Sequence, residues 1–475
     1  MLLPHSNPIQ PQRPALSHRS VRLQSQQHRN RIRRQVSKVG AVDFFNVLTG
    51  PQLLEITDAH LPAHRERLYP PTVTLSMFMK QGLEADHSCQ QAVNAWAAQR
   101  AAEGLGVSSV RTGAYCQARQ RLPLAMVTAL THATGRLLST RAQPQWGWRG
   151  RAIKLADGTT VSMPDTPQNQ ACYPQPTSQA PGVGFPLARL NAIICLSTGA
   201  LLTAAIGAYA GTGHGELDLF RSLIHTLSAG DVLLADALYC SYFIVATLQA
   251  AGVDVLFEQH GGRISDFRRG QALGKHDHRV NWQKPSQRPQ WMSVQQYRAF
   301  PTELTVREVK VGGRVLVTTM LKAHQVHKAE LAQLYALRWQ VELDLRNIKT
   351  TLGVNVLRCL TPQMVAKELW VCLLAYNVIR LLMAQAAHQA GLLPRQLSFK
   401  HTVQMWIRWA SNTLATDPTG QATFFKLIAQ CCVGHRPNRI EPRARKRRPK
   451  PYPWLKVSRT EARRQIRTQG HLLGA

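Results

Sequence analysis

From Arg151 onward the chain alternates short apolar runs with stretches of helical period. IKLADGTTV (153–161) predicts a strand and turn, and RLNAIICLST (189–198) with LLTAAIGAYA (201–210), around Gly199-Ala200, predicts a hairpin. GELDLFRSLIHTL (215–227) has helical spacing, DVLLADALY (231–239) reads as a buried strand ending at Asp236, SYFIVATLQAA (241–251) as a helix and VDVLFEQ (253–259) as a further strand. REVKVGGRVLVTTML (307–321) predicts a second hairpin turning at Gly312-Gly313. Helices are predicted over 41–145, where Ala, Leu and Gln dominate, and again from Lys328 to Gln389. The most apolar stretch, LWVCLLAYNVIRLLM (369–383), is interrupted by Asn377 and Arg380 well short of the ~20 residues of a membrane span, so it predicts a buried helix and no membrane.

The order strand, hairpin, helix, strand, helix, strand is that of the ribonuclease H-like α/β fold. The expected organisation is a leader over 1–40, a helical N-terminal DNA-binding region over 41–145, and a ribonuclease H-like catalytic core in two parts, 146–259 and 326–390. A β-rich insertion over 260–325 interrupts that core, and a helical, basic C-terminal region covers 391–475. The leader holds no acid and a cluster of Arg29, Arg31, Arg33, Arg34 and Lys38, which fits a solvated arm or one that tracks phosphates. Residues 69–100 and 112–123 fit a helix-turn-helix-like module, or three ordinary packed helices.

Charge narrows the partner. The 475 residues carry 58 Lys+Arg against 26 Asp+Glu, a formal balance of +32, so a polyanion is implied and nucleic acid comes first. A hydrophobic fraction of 44% is that of a globular chain. The nine cysteines form no CxxC pair, and MLLPHSNP begins no export signal, so a reducing cytoplasm is expected.

With so few acids, a carboxylate at the end of an apolar strand calls for a reason. Asp157 follows Ile153-Lys154-Leu155-Ala156 and Asp236 follows Val232-Leu233-Leu234-Ala235, both placed where a strand is expected to meet its loop. Either alone fits a turn cap, since Asp-Gly is a common turn pair. Together, on strands this order sets side by side, they point to a metal site. The helix LAQLYALRWQVELDLRNIKTTLG (331–353) then sets Tyr335, Arg338, Glu342 and Lys349 within one arc of about 60°, beside an apolar stripe of Leu334, Leu337, Val341, Leu345 and Ile348. Asp344 points away from that arc. A solvent face laced with ion pairs has the same spacing. His214, Asp165 and Glu216 read as loop residues and helix-start acids.

The Y-x2-R-x3-E-x6-K helix, after an Asp-Gly strand and a strand ending in Ala-Asp, resembles the DDE transposases of the insertion-sequence-four family. YPPTVTL near 70, AYCQARQRLP (114–123) and RRPKPYPWL (447–455) resemble that family's flanking blocks. The resemblance implies a catalytic, metal-binding triad of Asp157, Asp236 and Glu342 with two Mg²⁺ ions, for which Mn²⁺ substitutes. It implies DNA phosphates facing Tyr335, Arg338 and Lys349, and an insertion that handles the cleaved end, with Trp282 and Trp291 as aromatic candidates unless they are core. The implied partners are the terminal inverted repeats and target DNA, with self-association on paired ends. A transposase-derived protein that only binds DNA, and a nuclease of this fold that only hydrolyses, are the alternatives.

Overall fold

A computed structural model describes residues 51–61, 68–102, 104, 106–211, 213–409, 418–434 and 455–470. The leader and most of the basic segment at 436–454 lie outside the described residues. Among the described residues the first elements are the helices α1 (Pro51–His60), α2 (Pro71–Leu83), α3 (Cys89–Ala102), α4 (Gly113–Arg121) and α5 (Leu124–Thr140). Strand β1 (Ile153–Ser162), the short α6 (Pro167–Cys172), β2 (Leu187–Cys195) and β3 (Leu201–Ala208) follow. Next are α7 (Glu216–Leu223), β4 (Val232–Ala235), α8 (Tyr242–Ala250) and β5 (Asp254–Glu258). The interrupting segment forms β6 (Gln271–Gly274), β7 (Asp277–Gln283), α9 (Val294–Ala299), β8 (Glu303–Val311) and β9 (Arg314–Thr318). Helical structure then resumes with α10 (Lys328–Ala336), α11 (Gln340–Arg346), α12 (Pro362–Ala390), α13 (Phe399–Trp409), α14 (Pro418–Gln430) and α15 (Arg459–Gln469).

All nine strands belong to one sheet, in the order β3-β2-β1-β4-β5-β9-β8-β7-β6. The β1-β2-β3 pairs are antiparallel, as a hairpin connection requires, whereas β1, β4 and β5 are parallel and joined through α7 and α8. The interrupting segment does not form a sheet of its own. Its last strand, β9, pairs antiparallel with β5, so β6 to β9 extend the central sheet.

Both faces of the sheet are covered, which is why its central strands read as nearly continuous apolar runs. Because side chains alternate along a strand, Ile153, Leu155, Val232, Leu234 and Leu256 face one core, with α2, α5 and α10 to α12. Ala156, Ile193, Leu233, Val255 and Phe257 face the other, with α7, α8 and the insertion's Trp282 and Val306. The N-terminal helices α2 and α5 therefore share the main core. Gly135 of α5 touches β3 so closely that a Cβ there would lie 2.1 Å from the Leu201 carbonyl oxygen.

The expected apolar helix is α12. It is long and apolar enough to cross a membrane, but 89% of its most apolar window is buried within the protein, so here it is a core helix. Its two polar interruptions are both satisfied. Asn377 accepts from the Leu201 amide and donates to the Leu201 and Thr131 carbonyls, at 2.8, 2.8 and 3.0 Å. Arg380 pairs with Asp344 of α11, which also accepts two hydrogen bonds from Arg395 at 2.7 Å. That cluster, with Asp344 and Arg380 buried and Arg395 at its margin, fixes α11 against α12.

Two local expectations are corrected. Asp157-Gly158 is not a turn: β1 runs on to Ser162, with Asp157 opposite Ala192 and Gly158 opposite Asn191 of β2. The predicted helix over 331–353 is not regular either. It is α-helical over 328–336 and 340–346, passes through a 3-10 turn at Leu337–Trp339, and ends in a π-helical turn at Asn347–Thr351. A constant rotation per residue thus does not hold along it.

Candidate active site

Strand alternation decides where the first carboxylate points. Asp157 has the parity of Ile153 and Leu155, so it projects on the face that carries α10 and α11. Leu155 of β1 pairs in parallel register with Leu234 of β4, and two residues further along each strand stand Asp157 and Asp236. They are neighbours at the same level of adjacent strands. Strand β4 ends at Ala235, and Asp236 accepts at 2.9 Å from the Leu238 amide, capping a single 3-10 turn.

The helical segment from Lys328 to Thr351 crosses the same face, held down by Leu331, Leu334, Val341, Leu345 and Ile348. Tyr335 is buried and donates at 3.3 Å to Glu258, the last residue of β5. Arg338 Nη2 donates to Glu342 Oε1 at 2.8 Å, an i,i+4 pair that survives the 3-10 turn. The charge of Arg338 also acts on Asp157, and Tyr335 feels both Glu258 and Asp236. Five of the six residues singled out in the sequence, Asp157, Asp236, Tyr335, Arg338 and Glu342, are brought to one place. Lys349 is not drawn into it. It sits half-buried in the π-helical turn, and among the described residues no hydrogen bond or ion pair joins its ammonium to these carboxylates.

The electrostatics of the site are set first by burial and then by the acids around Asp157, with Arg338 opposing them. Burial pushes the Asp157 carboxyl up to about 7; the Gly158 amide, which donates to it at 2.8 Å, opposes this, while Glu216 and Asp236 add to it and Arg338 subtracts. Burial raises the Tyr335 hydroxyl above its ordinary value, so it stays protonated and able to donate. Among the described residues no three His, Cys, Asp or Glu side chains converge closely enough to grip one ion. The donor set still fits a divalent cation: carboxylate oxygens are the ligands hard cations take, and Glu216 and Asp236 add negative charge around Asp157 that Arg338 only partly offsets.

Two acids of this neighbourhood were not singled out in the sequence. Glu258 ends the apolar strand Val255-Leu256-Phe257, the same signal that marks Asp236. Glu216 was read as a helix-start acid, and it does open α7. Nothing local in the sequence shows that its carboxylate lies against Gly158, where an added Cβ would stand 2.5–2.9 Å from its carboxylate atoms. In the insertion, Trp282 is core, its Nε1 donating to Glu308 at 2.7 Å and Arg263 lying 3.8 Å over its ring. Trp291 is about half exposed, with Arg221 3.9 Å over one face.

Acids at and just beyond the ends of a parallel strand pair, facing an Arg-Glu helix, are groups that phosphoryl transfer can use. The family described as "Transposase DDE domain" matches residues 148–378. The transposase InsG of insertion sequence element IS4 from Escherichia coli (strain K12) is 31% identical over 359 residues, spanning 72% of this chain and 78% of that protein. The putative transposase InsZ of the same organism is 28% identical over 148 residues, 31% of this chain and 48% of that protein. A piggyBac transposase, solved in a synaptic complex with hairpin DNA, aligns at a TM-score of 0.40 with 10% identity, over 85% of this chain and 84% of that one. The chain belongs to the DDE transposases of the IS4 family. It is an enzyme of DNA transposition, and its family works with divalent metal ions.

Proposed function

We propose that this transposase binds the terminal inverted repeats of its own insertion sequence, cleaves the DNA ends and joins them to target DNA, with Asp157, Asp236 and Glu342 as the metal-holding triad. The observation that carries this reading is that Asp157 in β1 and Asp236 just past the end of β4 each stand two residues beyond the last parallel pair, Leu155 and Leu234, on the side of the sheet that carries the Arg338–Glu342 pair. On this reading β1 to β5 with their helices form a ribonuclease H-like core, split by the insertion at 260–325. Two Mg²⁺ ions, or Mn²⁺ in their place, would be held by the triad and would supply charge at the attacking and leaving oxygens of an in-line displacement.

The chain's own residues do the rest. Arg338, which donates to Glu342, presents a guanidinium fork whose remaining N–H groups suit a phosphate oxygen of the bound strand. Tyr335, anchored to Glu258, offers a fixed edge to the backbone of the bound strand. Lys349 adds a point charge about two turns beyond Glu342. Helical residues 41–145 and the basic C-terminal region supply phosphate contacts, and two copies meet on paired ends. The test is to incubate purified protein with labelled ends of its own element, with and without Mg²⁺, and to resolve products by size. Mg²⁺-dependent nicking followed by joined products supports the proposal. Hydrolysis without joining would leave a nuclease, and binding without cutting would leave a DNA-binding protein only.

A further inference from the structure

On the opposite face of β1 from Asp157, the side chains of Asn191, Tyr239 and Glu216 form a chain of hydrogen bonds around Gly158. Asn191 stands directly across the ladder from Gly158, and its Nδ2 donates at 2.6 Å to the Tyr239 hydroxyl. That hydroxyl donates at 2.8 Å to Glu216 Oε1. Tyr239 and Asn191 are both fully buried, and the Tyr239 ring is fixed edge-on against Phe220 at 4.9 Å. The arrangement is built. The carboxylate lies where the side chain of residue 158 would begin, so only glycine admits it.

Two features of this arrangement go beyond what packing requires. Glu216 is held by a neutral hydroxyl and, among the described residues, has no Lys or Arg in ion-pair contact, although the chain has an excess of both. Asn191 Oδ1 is buried with no hydrogen-bond partner at all. A packing role would favour an apolar residue at either place. Meanwhile Glu342 is already paired with Arg338, so Asp157, Asp236 and Glu216 are the acids left without a cation around the ends of β1 and β4.

We infer that Glu216 is a further carboxylate of the reaction centre, a positioning residue that Tyr239 and Asn191 hold against Gly158, where β1 has run past its pairing with β4, and whose charge helps hold the divalent cation beside Asp157. The inference rests on the proposed triad. It is tested on the full-length protein without DNA, by calorimetric titration with Ca²⁺ and Mn²⁺, on Glu216→Gln, Tyr239→Phe and, as reference, Asp157→Asn. Unfolding in EDTA checks that each variant is folded. Glu216→Gln keeps the shape and the Tyr239 contact but loses the charge, and should weaken cation binding on the order of tenfold, the usual effect of removing a supporting partner of a metal site. Tyr239→Phe keeps the charge but frees the carboxylate, and should weaken it less. If Asp157→Asn weakens binding and Glu216→Gln does not, this inference is overturned while the triad stands. If Asp157→Asn also leaves binding unchanged, it is the triad that fails.

Discussion

Replacing Asp344 with Asn probes the part of the structure that holds Glu342 in place. Asp344 lies two residues beyond Glu342 on α11, is fully buried, and accepts from Arg380 and twice from Arg395, whose side chains are 4% and 15% exposed. Arg395 also donates to the Leu196 and Cys195 carbonyls at the β2–β3 turn, so one carboxylate joins three elements. Asparagine keeps the size but removes the charge and turns one acceptor into a donor aimed at two guanidinium groups. Breaking a buried pair by removing one partner costs about 3–5 kcal/mol, because the remaining charge is left in a poor medium for it. With a urea dependence of about 3 kcal/mol per molar for a chain of this size, the unfolding midpoint should fall by about 1 M. Circular dichroism through a urea titration measures this directly. A midpoint equal to that of the unchanged protein would refute the reasoning, since it would mean the two arginines do not depend on Asp344.

Other outcomes follow from the same geometry. Arg338→Ala and Lys349→Ala should each lower the yield of cleaved complex, and lower it further as salt rises; a yield that does not change through a salt titration would place that residue on a solvated face. Gly158→Ala should push the flexible Glu216 carboxylate aside at a stability cost under about 1 kcal/mol, yet weaken Ca²⁺ binding as Glu216→Gln does; unaltered binding by calorimetry would count against the role of that glycine. Deleting residues 436–475 should reduce complexes on two ends more than binding to one end, as read by gel shift; equal losses would leave only a non-specific basic tail.

What the sequence disclosed depended on how local the cause was. Strands β2 to β5 were legible because a sheet covered on both faces needs apolar residues at every position, and Asp236 stood out as the acid that ends such a run. Asp157 was chosen for a partly mistaken reason. Asp-Gly normally turns the chain, but here β1 continues, and the glycine is needed for a side chain arriving from α7 some sixty residues later. The strands of the insertion were visible as a hairpin, yet the pairing of β9 with β5 is a long-range choice that no local pattern encodes. The same holds for Arg380. It reads as a flaw in an apolar helix until Asp344, 36 residues earlier in the chain, is found opposite it. The 3-10 and π turns of the segment over 328–351 leave no mark in a periodicity count, because Leu334, Val341, Leu345 and Ile348 still land on the core; Leu337, expected in the same stripe, sits in the 3-10 turn and is exposed instead.

The central claim is that Asp157, Asp236 and Glu342 perform the chemistry while other parts of the chain bind the DNA. The most direct measurement compares Asp157→Ala, Asp236→Ala and Glu342→Ala with the unchanged protein on labelled ends of its own element in Mg²⁺, scoring bound complex and cleaved strand from the same reactions. All four proteins should bind the ends to a similar extent, and only the unchanged protein should yield cleaved and joined strands. Cleavage retained by any one of the three variants would contradict the account by removing that carboxylate from the triad.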